Sequence, residues 1–171
     1  MQVINATFMP VVVSVGDPAY DDRHVFDALF GDLMVGYSMG RPHGRLMTWS
    51  EFGRLEMPRR ELRRRAAEYL DSSLRFVGIH GQPPALMTSF DGIESSLLLA
   101  DDLWDSLAGS VPGEIVVGAP ARDALIITGS RSAAGIAKVR RAVDRMFLAG
   151  NQHLLTPDLL IRRRGGWERF G

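Results

Sequence analysis

Cysteine is absent from all 171 residues. The chain therefore has no disulfide, no thiolate nucleophile and no sulfur-ligated metal. Lysine is almost absent too. Lys138 is the single lysine among 20 Lys and Arg residues, which removes Schiff-base and lysine-base chemistry from most of the chain. Net charge is missing as well. The 20 basic residues balance 20 acidic ones, so no global field steers the molecule to nucleic acid or membrane. No stretch approaches the roughly 18 apolar residues of a membrane span. The apolar run from Phe8 to Val15 lacks a positive region before it and a small-x-small cleavage site, so no signal peptide is expected. The expectation is a cytoplasmic protein.

The common chemical motifs are missing in the same way. There is no G-x-x-x-x-G-K-[ST] and no G-x-G-x-x-G after a strand, which disfavours nucleotide and dinucleotide enzymes of the usual types. His24, His43, His80 and His153 form no H-x-x-x-H or H-E-x-x-H pair, so a metal site would have to be assembled by the fold. Neither a cofactor nor a metal is expected. One motif does look chemical: Gly36 to Gly40 reads GYSMG, the G-x-S-x-G of a nucleophile elbow. That elbow requires a helix directly after the serine. Here Ser38 is followed by Met39-Gly40-Arg41-Pro42-His43-Gly44, and Pro42 disfavours a helical conformation at Arg41. The serine is read as part of a strand end, not as a nucleophile.

What is present is an ordinary globular composition. At this length one domain with a full-sized core is expected, spanning residues 1–171. Residues 3–15 and 32–39 are β-branched or apolar and read as strands, the first interrupted at Pro10. Residues 23–30 suggest a short helix, and 45–48 a short strand after a turn at 41–44. Thr48 and Glu51 form a capping box. Pro58 opens a helix to about Leu74 with Leu62, Ala66, Tyr69, Leu70 and Leu74 inward. Strands follow at 76–79 and 85–89, then a helix to Leu107 capped by Ser95 or Ser96. Residues 114–119 and 124–128 are near-continuous apolar runs, suited to central strands. Ser130 is placed as the cap of a helix to about Leu148, and residues 158–170 as a hairpin turning at Gly165-Gly166. Hairpin followed by helix recurs at 32–74, 75–108 and 114–148. The fold class is α+β: a single domain with a mostly antiparallel sheet packed by helices in repeated hairpin-helix (ββα) topology.

Candidate site residues are few. Arg122-Asp123 puts two charges between two of the most apolar strands, where the arginine could pair with an acid or an anion. Arg140 lies near the apolar stripe of Ile136, Val143 and Phe147, which suggests a buried stem. Asp101 and Asp102, with Asp105 nearby, are acidic enough for a cation but also suit a helix start. His80 sits in a turn between Ile79 and Gly81. Arg59, Arg60, Arg63, Arg64 and Arg65 spread around one helix among Glu61 and Glu68, a solvated face; nucleic-acid binding is disfavoured. Trp49, Trp104 and Trp167 are assigned to the core in preference to an interface.

Two blocks, ESSLLLADDLWDSL at 94–107 and GEIVVGAPARDALIITGS at 113–130, together resemble the YtpQ-like family of bacterial proteins, a family of unknown function. PRRELRRRAAEYL at 58–70 and LTPDLLIRRRGGW at 155–167 are similar to its corresponding segments. Gly40 and Tyr69 depart from the family pattern. The resemblance implies one bacterial cytoplasmic domain and transfers no catalytic residue. No nucleophile, base and orienter set is visible. The leading expectation is a non-catalytic binding or protein-interaction module, with a protein partner or a small anion at Arg122, Asp123, Asp101 and Asp102. The alternative is a hydrolase or metal-assisted enzyme using His80 or Asp101/Asp102.

Overall fold

The computed structural model describes residues 7–40 and 43–171. Helix and antiparallel sheet are intermixed in one domain, as the α+β class requires, but there are two sheets where the sequence suggested one. The smaller holds β1 (Phe8–Ser14), β2 (Asp27–Phe30) and β3 (Leu33–Met39) in the order β1-β3-β2. The larger holds β4 (Gly78–His80), β5 (Leu86–Ser89), β6 (Ile115–Ala121), β7 (Ala124–Gly129), β8 (Leu159–Arg163) and β9 (Gly166–Phe170) in the order β4-β5-β7-β6-β8-β9. Every pairing is antiparallel.

Hairpins β2–β3, β4–β5 and β6–β7 each lead into helix, so the repeated topology is present. The helices are α1 (Trp49–Gly53), α2 (Arg59–Ser72), α3 (Asp101–Leu107) and α4 (Ala133–Ala149). The first hairpin is not the expected one. Residues 27–30 form β2 instead of helix, because Asp27 and Ala28 pair with Val35 and Met34. Residues 45–48 contribute only isolated bridges, Ser38 to Leu46 and His24 to Thr48. Pro10 does not interrupt β1. It pairs with Tyr37 at a sheet edge, where its missing N–H costs no ladder bond. Residues 3–6 of the expected first strand, and Arg41 and Pro42 of the expected turn, lie outside the described residues.

Side-chain alternation divides the core. Ile115, Val117 and Ala119 of β6 share a cluster with Met9, Val11 and Val13 of β1. Val116 faces the other way, into a cluster with Val139 and Val143 of α4. The segment 94–107 lies in the first cluster as a 3-10 turn (Glu94–Leu99) followed by α3, not as one capped helix. Ser95 and Ser96 are buried there, donating to the carbonyls of Arg122 at 2.8 Å and Pro10 at 2.6 Å. The cap of α4 is Ser132, not Ser130, and it accepts from the Gly135 N–H at 3.0 Å. Ser130 bonds the Glu114 N–H instead. Trp104 is fully buried against Trp167 at 5.1 Å. Trp49 departs from the core assignment. It is 46% exposed beside the Arg59 guanidinium.

Gly118 lets α4 close on the sheet. A Cβ there would stand 2.7 Å from Val139 Cγ1 and 3.0 Å from Val143 Cγ2. Both valines are stiff and buried, so Gly118→Ala is expected to cost about 1–3 kcal/mol, read as a lowered urea midpoint. An unchanged midpoint would mean that α4 shifts freely on β6.

Candidate active or binding site: the cavity at the β6–β7 turn

Arg122 and Asp123 form the two-residue turn between β6 and β7, with Ala121 paired to Ala124 on either side. A bulge between Gly118 and Ala121 shifts the register just before the turn. Bulges of this kind re-aim the side chains that follow. Three further segments converge on the turn. Residue 122 is held through its backbone: its N–H donates to the His153 carbonyl at 3.0 Å, and its carbonyl accepts from both the N–H and the hydroxyl of Ser95. The Leu155 N–H closes on the Pro120 carbonyl at 2.8 Å. The turn is thus tied to the loop after α4 and to the 3-10 turn.

Between these segments lies a cavity of about 340 Å³. Its walls include Arg122 and Asp123, the turn at His43, the loop at Asp91-Gly92, and Asn151-Gln152-His153. Gly150, at φ 67°, stops α4 in the left-handed region and turns the chain toward it. Asp91 and His153 also hold positive φ, at 55° and 56°. Aspartate and histidine tolerate that conformation better than most residues, and such backbones gather at ligand sites. Glu94 builds the Asp91 loop by accepting the Phe90 N–H at 3.1 Å.

The electrostatics centre on Arg122. Only 7% of the residue is exposed, and among the described residues its Nε and Nη2 find no hydrogen-bond acceptor. Burial lowers its pKa; the charges of Asp17 and Asp123 oppose that through space. Asp17 is itself committed. Its carboxylate accepts the Ala19 N–H at 2.8 Å and faces His153 Nδ1 at 3.0 Å. Burial would push that carboxyl up, but those bonds, with His153 and Arg122, outweigh burial and hold it below the usual range. A buried cation with sealed, unpaired donors is costly unless an anion meets it. Arg122 itself lines the cavity.

Ser38, His43 and Asp91 form a chain: Ser38 Oγ to His43 Nδ1 at 3.5 Å, and His43 Nε2 to Asp91 Oδ2 at 3.3 Å. The residue types are those of a hydrolase triad, but Ser38 is 0% exposed and its hydroxyl donates to the Gly40 carbonyl. Buried in this way, Oγ is closed to a substrate. The chain orients the His43 ring at the cavity wall.

The other sequence candidates do not join this site. Asp101 and Asp102 are exposed at the start of α3, and Asp101 takes Arg162 at 2.9 Å beside a separate cavity of about 300 Å³. The surface expected to unite Arg122, Asp123, Asp101 and Asp102 is therefore split, because α3 carries the two acids to a different part of the fold. His80 is not in the turn but exposed on the edge strand β4, paired with Met87. It does not line this cavity. Among the described residues no three His, Asp or Glu groups could hold a metal ion together. Arg140 is exposed and does not line this cavity. On α2, Arg59 binds Asp27 at 3.0 Å, Arg63 the Ala28 carbonyl at 2.7 Å, and Arg64 pairs with Glu61 and Glu68.

Sequence reasoning missed His43, Asp91, Asn151, Gln152 and His153. The signals were faint: Asp-Gly at 91–92 and Gly-Asn at 150–151 mark turns, but nothing local says that both turns face Arg122. No family model, curated protein or solved structure matches the chain.

Arg122→Met is expected to leave the fold as stable as before or more so, since it removes a buried charge whose Nε and Nη2 no acid among the described residues meets by a hydrogen bond. A loss of about 3–5 kcal/mol in urea unfolding would instead mark Arg122 as half of a structural ion pair. Glu94 gives a pH test. Burial, with Asp123 adding to it, raises its carboxyl above the ordinary 4.5, against the Phe90 and Gly92 N–H groups. The folded state thus holds this proton more tightly than the unfolded chain. Its contribution to stability rises as pH falls through the raised value toward 4.5, and is lost as pH rises again. Glu94→Gln is expected to be at least as stable at pH 7 and to flatten that rise. Urea midpoints at pH 7 and pH 5 with an unchanged slope would refute the assignment.

Proposed function

We propose that the protein is a non-catalytic binding module whose site is the cavity at the β6–β7 turn. Its ligand is a small molecule bearing an anionic group, met by the Arg122 guanidinium. The observation that carries this reading is the buried guanidinium with two sealed, unpaired donors on a cavity wall. A structural ion pair would place an acid against those donors; the nearby Asp17 is held by Ala19 and His153 instead. The cavity volume suits a metabolite-sized ligand. The kinship of residues 94–107 and 113–130 with YtpQ-like proteins is proposed alongside and assigns no residue a role.

The alternative of a hydrolase or metal-assisted enzyme has less support. The cavity that Asp101 lines is not lined by His80, and Ser38, which stands in line with His43 and Asp91, is sealed.

Thermal unfolding against phosphate, acetate, citrate and common metabolite acids tests the reading. A ligand at a hundred times its Kd adds about 2.7 kcal/mol to stability, which for a chain of this size raises Tm by roughly 5–10 °C. The rise is expected in the wild type and absent in Arg122→Met. A flat panel, or one equally positive in the variant, would reject this site.

A further inference from the structure

The charges on the cavity wall discriminate between kinds of anionic ligand. A site for a plain anion such as phosphate or acetate gathers positive groups and excludes acids, because a carboxylate near the ligand repels it. This cavity does otherwise. Among the described residues Arg122 is the one arginine that lines it, and Asp123 and Asp91 line it too, with His43, His153 and the amides of Asn151 and Gln152. Asp91 faces His43, and Asp17, the other acid near Arg122, is taken by Ala19 and His153. Asp123 is exposed, and its interaction with Arg122 is through space only. Both residues line this cavity, and Asp123 acts on the Arg122 charge through space. One cavity thus offers a cation and an exposed carboxylate to the same ligand.

We propose that the ligand is a zwitterion of the amino-acid class, its carboxylate on Arg122 and its ammonium on Asp123, with the Asn151 and Gln152 amides available to its polar substituents. This rests on the reading of the cavity as an anion-recognising site and adds to it the second charge. The guanidinium offers N–H donors suited to a carboxylate. The exposed carboxylate of Asp123 offers an acceptor to an ammonium and opposes any acid that lacks one. Discrimination then comes from attraction of the right ligand together with repulsion of the wrong one.

The test is calorimetric titration of the full chain, at fixed pH and ionic strength, with the twenty α-amino acids. For the tightest of them, its deamino acid and its decarboxylated amine are titrated next. The amino acid is expected to bind at least tenfold more tightly than either fragment. Asp123→Asn, a change at an exposed turn position, is expected to lose that tenfold preference while binding the deamino acid as well as or better than the wild type. Arg122→Met is expected to bind neither. If the deamino acid or inorganic phosphate binds the wild type as tightly as the amino acid, or if Asp123→Asn keeps the preference, the zwitterion proposal is overturned while the anion site stands. If no amino acid, deamino acid or phosphate binds at all, the anion site falls with it.

Discussion

The feature on which this end of the molecule depends is a buried positive charge, Arg122, with two guanidinium nitrogens that find no acceptor among the described residues. Arg122 occupies a two-residue turn between strands that are almost wholly buried, and its main chain is bonded on both sides, to His153 and to Ser95. Those bonds fix the backbone from which the side chain springs. Burial opposes the charge of that side chain, and Asp17 and Asp123 favour it through space. Such an arrangement is poor as a stabilising device, and functional sites are where folds keep arrangements of this sort.

The rest of the architecture serves to hold four chain segments around that charge. β6 and β7 are rigid because both of their faces are covered, one by the cluster shared with β1 and the other by α4. Gly118 permits the close approach of α4, whose left-handed end at Gly150 then delivers Asn151 to His153 to the cavity. Glu94 shapes the loop that presents Asp91, and the buried Ser38 fixes His43. Side chains with little exposure thus set the positions of those that line the cavity. The same logic explains the arginines of α2. They are spent on Asp27, the Ala28 carbonyl, Glu61 and Glu68, tying helix to sheet and to itself.

Local patterns in the sequence were good guides wherever a few neighbouring residues decide the outcome. The Thr48–Glu51 capping box, the stripe Leu62–Ala66–Leu70 and the apolar runs of β6 and β7 all depend on spacing within a turn or two of chain. The closing hairpin is also present, but it turns at Arg164-Gly165 and not at the expected Gly165-Gly166, because Arg163 pairs with Gly166. The same patterns misled where a distant partner decided. Residues 27–30 are a strand because β3 offers its edge. Ser95 and Ser96 cap nothing because carbonyls of Arg122 and Pro10 claim their hydroxyls. GYSMG sits beside a histidine and an aspartate, yet burial of Ser38 decides its role, and burial is not written in five residues.

By itself the sequence determined the α+β class, the recurrence of hairpin and helix, the absence of thiol and nearly all amine chemistry, and the oddity of a charged pair between two apolar strands. Those follow from composition and short-range periodicity. Tertiary structure alone decided that Arg122 is sealed on two nitrogens, that Asp101, Asp102 and His80 stand elsewhere, and that His43, Asp91 and His153 come to its cavity from positions up to 110 residues apart in the chain (43 to 153). The physical reason is that a cavity is the space left where distant segments fail to touch. Its lining depends on register, bulges and packing across the whole chain, and no local spacing encodes these.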